Sequence, residues 1–309
     1  MTWTPAAVPD QTGRTIVITG ATAGIGYFAA EQLAAAGADV VLASRSASKL
    51  ATARDSIRAR VPGASVRSAV LELGSLSSVG DAAAELSALP RLDGILLNGG
   101  TMAFRRRAQT SDGIPLLIGT HVAANVALVA GVLPALIATA RAHQGVSRIV
   151  HTSTGFVNLF RFGINDLRQV PLTGIGAYTK AKTATEVFAF ELDRRLRAAS
   201  LPVISLVTRP GVGVDAKTPE RAGIRDATTP YQRNPYTPWA QGKDTAAWSS
   251  VRALTDPGVH GGEYFAPKDG PRGEPVRVPL LARTATPPGD TALRLWNQLE
   301  ELAGVEIPV

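Results

Sequence analysis

Cysteine is absent from the 309 residues. That excludes a disulfide framework, a thiolate nucleophile and a thiolate metal site. Histidine is scarce: His121, His143, His151 and His260 show no HExxH or paired spacing, so no metal is expected. The opening MTWTPAAVPDQTGR lacks the basic-then-apolar pattern of a secretory signal. With no cysteine, this makes a cytoplasmic location the expectation. The net charge is +7, yet no Lys/Arg stripe interleaves with aromatics, and the densest basic cluster, Arg105 to Arg107, is short. A basic surface is expected, not a nucleic-acid partner. One run, 122–140, carries no charge over a length sufficient for a bilayer. It is alanine-rich, Asn125, Gly131 and Pro134 interrupt it, and it has no partner span. A buried or subunit-facing helix is expected there and no membrane span.

What is present is alternation. Short β-branched runs at 15–19, 39–43, within 65–73, at 93–98, 147–153 and 202–208 are separated by helix-patterned stretches. The helices are expected at 25–37, 47–61, 75–89, 113–142 and 176–199. Such βα repetition implies parallel strands with helices on both faces, a doubly wound α/β sheet of Rossmann type. Ligands in such sheets lie beyond the carboxyl ends of the strands, so the residues just after each strand carry the function. Residues 211–245 are rich in Pro, Gly and charge, with Tyr231, Tyr236 and Trp239. That stretch is either a linker or a lid over substrate, and the aromatics favour the lid. A helix at 244–255, a strand at 261–267 and a closing helix at 290–304 complete the chain. No repeat or second fold is visible, so 1–309 is read as one nucleotide-binding domain.

The first strand runs into TGATAGIG and then a helix. Gly20, Gly24 and Gly26 permit a tight turn and close approach to a pyrophosphate, and the helix start offers free N–H groups. Thr22, Ala23 and Ile25 belong to the same loop. Where a 2′-hydroxyl would require Asp or Glu after the second strand, Ser44 and Arg45 stand instead. A guanidinium pairs with a 2′-phosphate, so NADP(H) is the expected cofactor. Further on, AYTKAK places Tyr178 and Lys182 four apart, on one helix face. An ammonium beside a phenol stabilises phenolate and lowers its pKa from about 10 toward neutrality.

With the glycine loop and this pair, the chain resembles the short-chain dehydrogenase/reductase family, and within it the bacterial retinol-dehydrogenase-like reductases. TGATAGIG, ASR, LELGSLSSV, ILLNGG, RIVHTST, AYTKAK, ISLVTRPGV and DPGVHGGEYFAP follow in the family's order over nearly the whole chain. The resemblance implies a seven-stranded parallel sheet and reversible hydride transfer between nicotinamide and a carbonyl or alcohol. It implies Tyr178 as general acid/base and Lys182 as the residue that holds the nicotinamide ribose. It extends the cofactor set to Glu72, Leu73, Asn98, Gly99, Pro210, Gly211 and Val212. The family's catalytic hydroxyl falls on Thr154 and the preceding serine on Ser153. Strand alternation allows one of these two to face the substrate, not both. His121 stands where the family has Asn, Leu97 where it has the first Asn of NNAG, and Asp215 near its nicotinamide-contacting Thr. A histidine at 121, with an ordinary pKa of about 6.5, is expected to add an inflection between about pH 5 and 8 to the rate profile.

These readings converge on an NADP(H)-dependent oxidoreductase acting on a small, apolar carbonyl or alcohol. The rival is a catalytically weak dinucleotide-binding protein with a regulatory or scaffolding role. Epimerisation or dehydration is a third reading. Helices 113–142 and 176–199 are the surfaces through which a homodimer would form.

Overall fold

The computed structural model describes residues 3–102, 105–228 and 235–309. The first half follows the alternation: β1 (Thr15–Thr19), α1 (Gly24–Ala35), β2 (Asp39–Ser44), α2 (Ala47–Arg60), β3 (Val66–Val70), α3 (Leu76–Ser87) and β4 (Gly94–Leu97). A short α4 (Leu116–Ile118) passes through a widened π turn (Gly119–Ala123) into α5 (Ala124–Ala142). Then come β5 (Ser147–Thr152), α6 (Phe156–Leu159), α7 (Gly174–Ala198) and β6 (Val203–Thr208). The remainder holds α8 (Lys243–Ala246), α9 (Trp248–Thr255), β7 (Tyr264–Pro267), β8 (Pro275–Arg277), α10 (Ala282–Ala285) and α11 (Thr291–Ala303).

The strands form one sheet in the order β3-β2-β1-β4-β5-β6-β7-β8. Every neighbouring pair is parallel except the last, where β8 runs antiparallel to β7. The expected seven parallel strands are therefore present, with an eighth at the edge. β8 escapes sequence reading because it is three residues long and begins with proline, a residue confined to strand edges. β1 is buried on both faces: Val17 packs into the core on one face, Ile16 and Ile18 into the core on the other. A strand covered by helices on both sides needs apolar residues at every position.

Among the described residues one helix, Leu116–Ala142, is long and apolar enough to cross a membrane. Within its most apolar stretch 72% is buried inside the fold, which makes it a core helix. One face of α7 and part of α5 are covered by the C-terminal helix. Leu295, Trp296, Leu299 and Leu302 of α11 share one core with Phe188 and Leu192 of α7 and with α5. The Trp296 ring lies 5.5 Å from that of Phe188, and the Arg195 guanidinium sits 4.0 Å above it.

Candidate active site

β1 is the switch point of the sheet, flanked by β2 on one side and β4 on the other. Its end and the end of β4 are drawn together by Thr19, whose Oγ accepts from the N–H groups of Asn98 (3.0 Å) and Gly99 (2.8 Å). A Cβ on Gly20 would stand 2.7 Å from the Gly99 Cα, and one on Gly26 would stand 2.4 Å from the Gly20 carbonyl oxygen. Gly20 also holds a φ of +67°, which only glycine adopts without strain. The loop thus fits tightly against β4, and α1 begins with no side chain capping its first-turn amides. Uncapped amides at a helix start, above a glycine cradle, suit a dinucleotide phosphate. Thr22, Ala23 and Gly24 line a cleft of about 340 Å³ beside that start.

The outer rim of the cradle is polar. Ser44 Oγ lies 3.3 Å from Thr22 Oγ1, joining the end of β2 to the loop. The Arg45 guanidinium is exposed and stands 3.6 Å from a Glu72 carboxylate oxygen. Glu72 also accepts from the Gly74 N–H (2.9 Å), and Leu73 lies where a Cβ on Gly99 would meet it at 2.8 Å. Pro210, Gly211 and Val212 follow β6 and are held by the β7–β8 hairpin: Val212 N–H donates to the Pro271 carbonyl (2.8 Å).

α7 presents the second half of the site. Its Thr173 cap accepts from the Gly176 N–H, which starts the helix just ahead of Tyr178. The two lysines of TKAK then diverge. Lys180 donates to the Gln169 carbonyl (2.6 Å) and anchors the preceding loop. Lys182, one half-turn on, is buried and donates to the Thr152 carbonyl at the end of β5 (2.6 Å), with its Nζ 5.8 Å from the centre of the Tyr178 ring.

Electrostatics at this pair differ from the expectation. Burial pushes Tyr178 up to about 12. Burial also lowers Lys182 to about 7, against an opposing pull from the Glu186 carboxylate. The expected depression of the phenol by the ammonium is therefore outweighed by the loss of solvent.

The two hydroxyls just past β5 have different surroundings. Ser153 is buried and donates to Glu186 Oε1 (2.6 Å), which also accepts from the Tyr264 hydroxyl (3.0 Å). Thr154 is half-buried at the strand's end, its Oγ1 accepting only a long bond from the Phe156 N–H (3.4 Å). Glu186 was missed in the sequence. Its spacing, four residues past Lys182 on the same helix, was the available signal.

His121 sits in the middle of the π turn, a feature that recurs at functional sites. Asn125 Nδ2 donates to its carbonyl (2.8 Å), and Gly100 leaves room for its ring: a Cβ there would meet Cε1 at 2.0 Å. The ring lies edge-on to Tyr178 at 5.3 Å. Nε2 is 2.8 Å from the Thr101 carbonyl, which can only accept, so Nε2 carries the proton and Nδ1 is a bare acceptor with no partner among the described residues. Burial, reinforced by Lys182, lowers His121 to about 3. The expected titration between pH 5 and 8 is thereby removed: this histidine stays neutral.

Of the stretch expected as a substrate lid, 211–245, residues 211–228 and 235–245 are described. Arg221 forms a two-pronged ion pair with Glu31 of α1 (2.6 and 2.8 Å), and Gly223 packs on Thr52 of α2. Tyr236 and Trp239 are exposed, and Tyr231 lies outside the described residues. Asp215 is ion-paired with Lys243 beside the glycine loop.

A dinucleotide cradle at the sheet's switch point and a Tyr-Lys pair at the end of the fifth strand define an oxidoreductase of the Rossmann type. The family model for short chain dehydrogenases matches residues 14–221, and the chain belongs to that family. It is 32% identical over 279 residues to a polyprenol dehydrogenase of Mus musculus, covering 88% of this chain and 80% of that one. A crystal structure of a protein from Mycobacterium Paratuberculosis superposes over all of both chains with a TM-score of 0.78 at 29% identity. A short chain dehydrogenase from Shigella flexneri 2a, solved in complex with NADP, shares the fold at a TM-score of 0.62 and 22% identity, covering 83% and 97%.

Proposed function

We propose that this oxidoreductase uses NADP(H) to interconvert a carbonyl and an alcohol on an apolar substrate. The observation that carries the reading is a contact between two separate elements: Lys182 of α7 donates to the Thr152 carbonyl at the end of β5, with its Nζ 5.8 Å from the centre of the Tyr178 ring. The exposed Arg45 and the lack of an acidic residue directly after β2 support the phosphorylated cofactor. NADPH bound there supplies the hydride. Tyr178 would hold the proton for the substrate oxygen, Lys182 the nicotinamide ribose, and Thr154 would donate to the same substrate oxygen. His121, neutral, offers Nδ1 as an acceptor for a water between helix and lysine. Phe156, whose ring is edge-on to Tyr178 at 6.5 Å, and Phe160 beyond it form an apolar wall, which favours an apolar substrate. The reading keeps 1–309 as one unit in a cytoplasmic setting.

The test is NADPH oxidation monitored across apolar aldehydes and ketones, with a polyprenol in the reverse direction. Turnover is expected, and Tyr178→Phe should lose about a hundredfold or more of it while still binding NADPH. Tight NADPH binding with no turnover on any of them would favour the rival, a dinucleotide-binding protein without catalysis.

A further inference from the structure

Asp215, Arg225 and Lys243 line the 340 Å³ cleft together with Thr22, Ala23 and Gly24 of the glycine loop. Lys243 opens α8, and its Cδ lies 3.6 Å from where a Cβ on Gly24 would stand. Its stem therefore lies along the loop itself. Its Nζ is 2.6 Å from Asp215 Oδ1. The backbone that carries it is held at two points: Lys243 N–H donates to Thr218 Oγ1 (2.8 Å), and Gln32 of α1 donates to the Asp244 carbonyl (2.9 Å).

An ammonium is thus fixed beside uncapped first-turn amides that already favour an anion. It has three donors, and Asp215 uses one of them. Lys243 is 30% exposed, so an anion in the cleft has access to the others. We propose that Lys243 binds the diphosphate of the dinucleotide, with Asp215 aiming its ammonium. The proposal rests on the reading of this cleft as a dinucleotide site. It divides the electrostatic work in two: Lys243 serves the diphosphate common to all such cofactors, and Arg45 serves only the 2′-phosphate.

That division supplies the test. Dissociation constants for NADPH and NADH are measured by calorimetric titration on wild type, Lys243→Met, Lys243→Arg and Arg45→Ala, with thermal melts to confirm folding. Lys243→Met should weaken both nucleotides by the same factor, about ten- to a hundredfold, as expected for one charge-assisted bond. Lys243→Arg should recover most of that loss, and Arg45→Ala should weaken NADPH alone. If Lys243→Met does not fold, Lys243→Gln, which keeps the polar stem, takes its place with the same expectation. A wild type that binds both nucleotides, beside a folded Lys243→Met within twofold of it, overturns the assignment of Lys243. A wild type that binds neither overturns the dinucleotide reading and the assignment with it.

Discussion

At the scale of single residues, the end of β5 separates chemistry from architecture. Ser153 Oγ satisfies a buried carboxylate, so its loss leaves Glu186 short of a donor inside the core. Ser153→Ala should therefore cost stability, about 1–3 kcal/mol by chemical denaturation, while each folded molecule keeps most of its turnover. Thr154→Val removes a hydroxyl that holds only a long bond in the fold. It should leave the melting temperature nearly unchanged and lower turnover about a hundredfold. The opposite ranking would place the catalytic hydroxyl on Ser153. Lys182 carries a pH signature of its own. Its pKa falls from 10.5 to about 7 on folding, so between these values the unfolded chain binds more protons than the native one. Stability contributed by this group therefore rises with pH across that window. Lys182→Met removes a desolvated charge. It should be more stable than wild type at pH 7, with the advantage shrinking as the pH approaches 10, and it should be inactive. Any inflection of the rate profile near pH 7 then belongs to Lys182, and should persist in His121→Asn.

At the scale of elements, the loop between β1 and α1 was legible because glycine spacing reports backbone geometry directly. Gly26 is the clearest case. A Cβ there would stand 2.4 Å from a backbone oxygen, which cannot move aside as a flexible side chain would. Gly26→Ala should lower stability by about 1–3 kcal/mol and weaken nucleotide binding, both readable from one thermal-shift titration with NADPH. An unchanged melt and an unchanged titration would mean that the loop has slack. The Tyr178–Lys182 face was legible for a related reason, since helical spacing sets direction. The same spacing chose Lys182 over Lys180, which is two residues from Tyr178 and turned away from its face. The structure adds their partners: the loop at 163–171 takes Lys180 and the end of β5 takes Lys182. The widened turn around His121 left no trace in hydrophobic pattern, because 116–142 reads as one continuous apolar helix. The partners that hold it, Asn125 and Thr185, come from α5 and α7.

At the scale of the molecule, α11 decides what the outer surface of α7 can do. Trp296 is 3% exposed, set between Phe188 and Arg195. Trp296→Ala should cost about 3–5 kcal/mol in chemical denaturation, as for other large buried aromatics. It should also uncover the α7 face and promote self-association, which light scattering would register. A variant as stable as wild type would show that α11 is only loosely docked. Closure of this face by the chain itself puts α7 and the C-terminal helix on the same core.

Local patterns in the sequence determined the parallel sheet, the glycine cradle and the Tyr-Lys pair. Each depends on residues within a few positions of one another, where periodicity and steric size act without help. Tertiary structure alone decided the rest. Lys243 lies more than two hundred residues from the loop it covers, Arg221 lies 190 residues from Glu31, and α11 lies over a helix that begins at 174. No spacing rule links such residues, because packing of the two helical layers against the sheet brings them together. The proton affinities of Tyr178, Lys182 and His121 were settled in the same way. Their shifts come first from burial, and burial belongs to the assembled core.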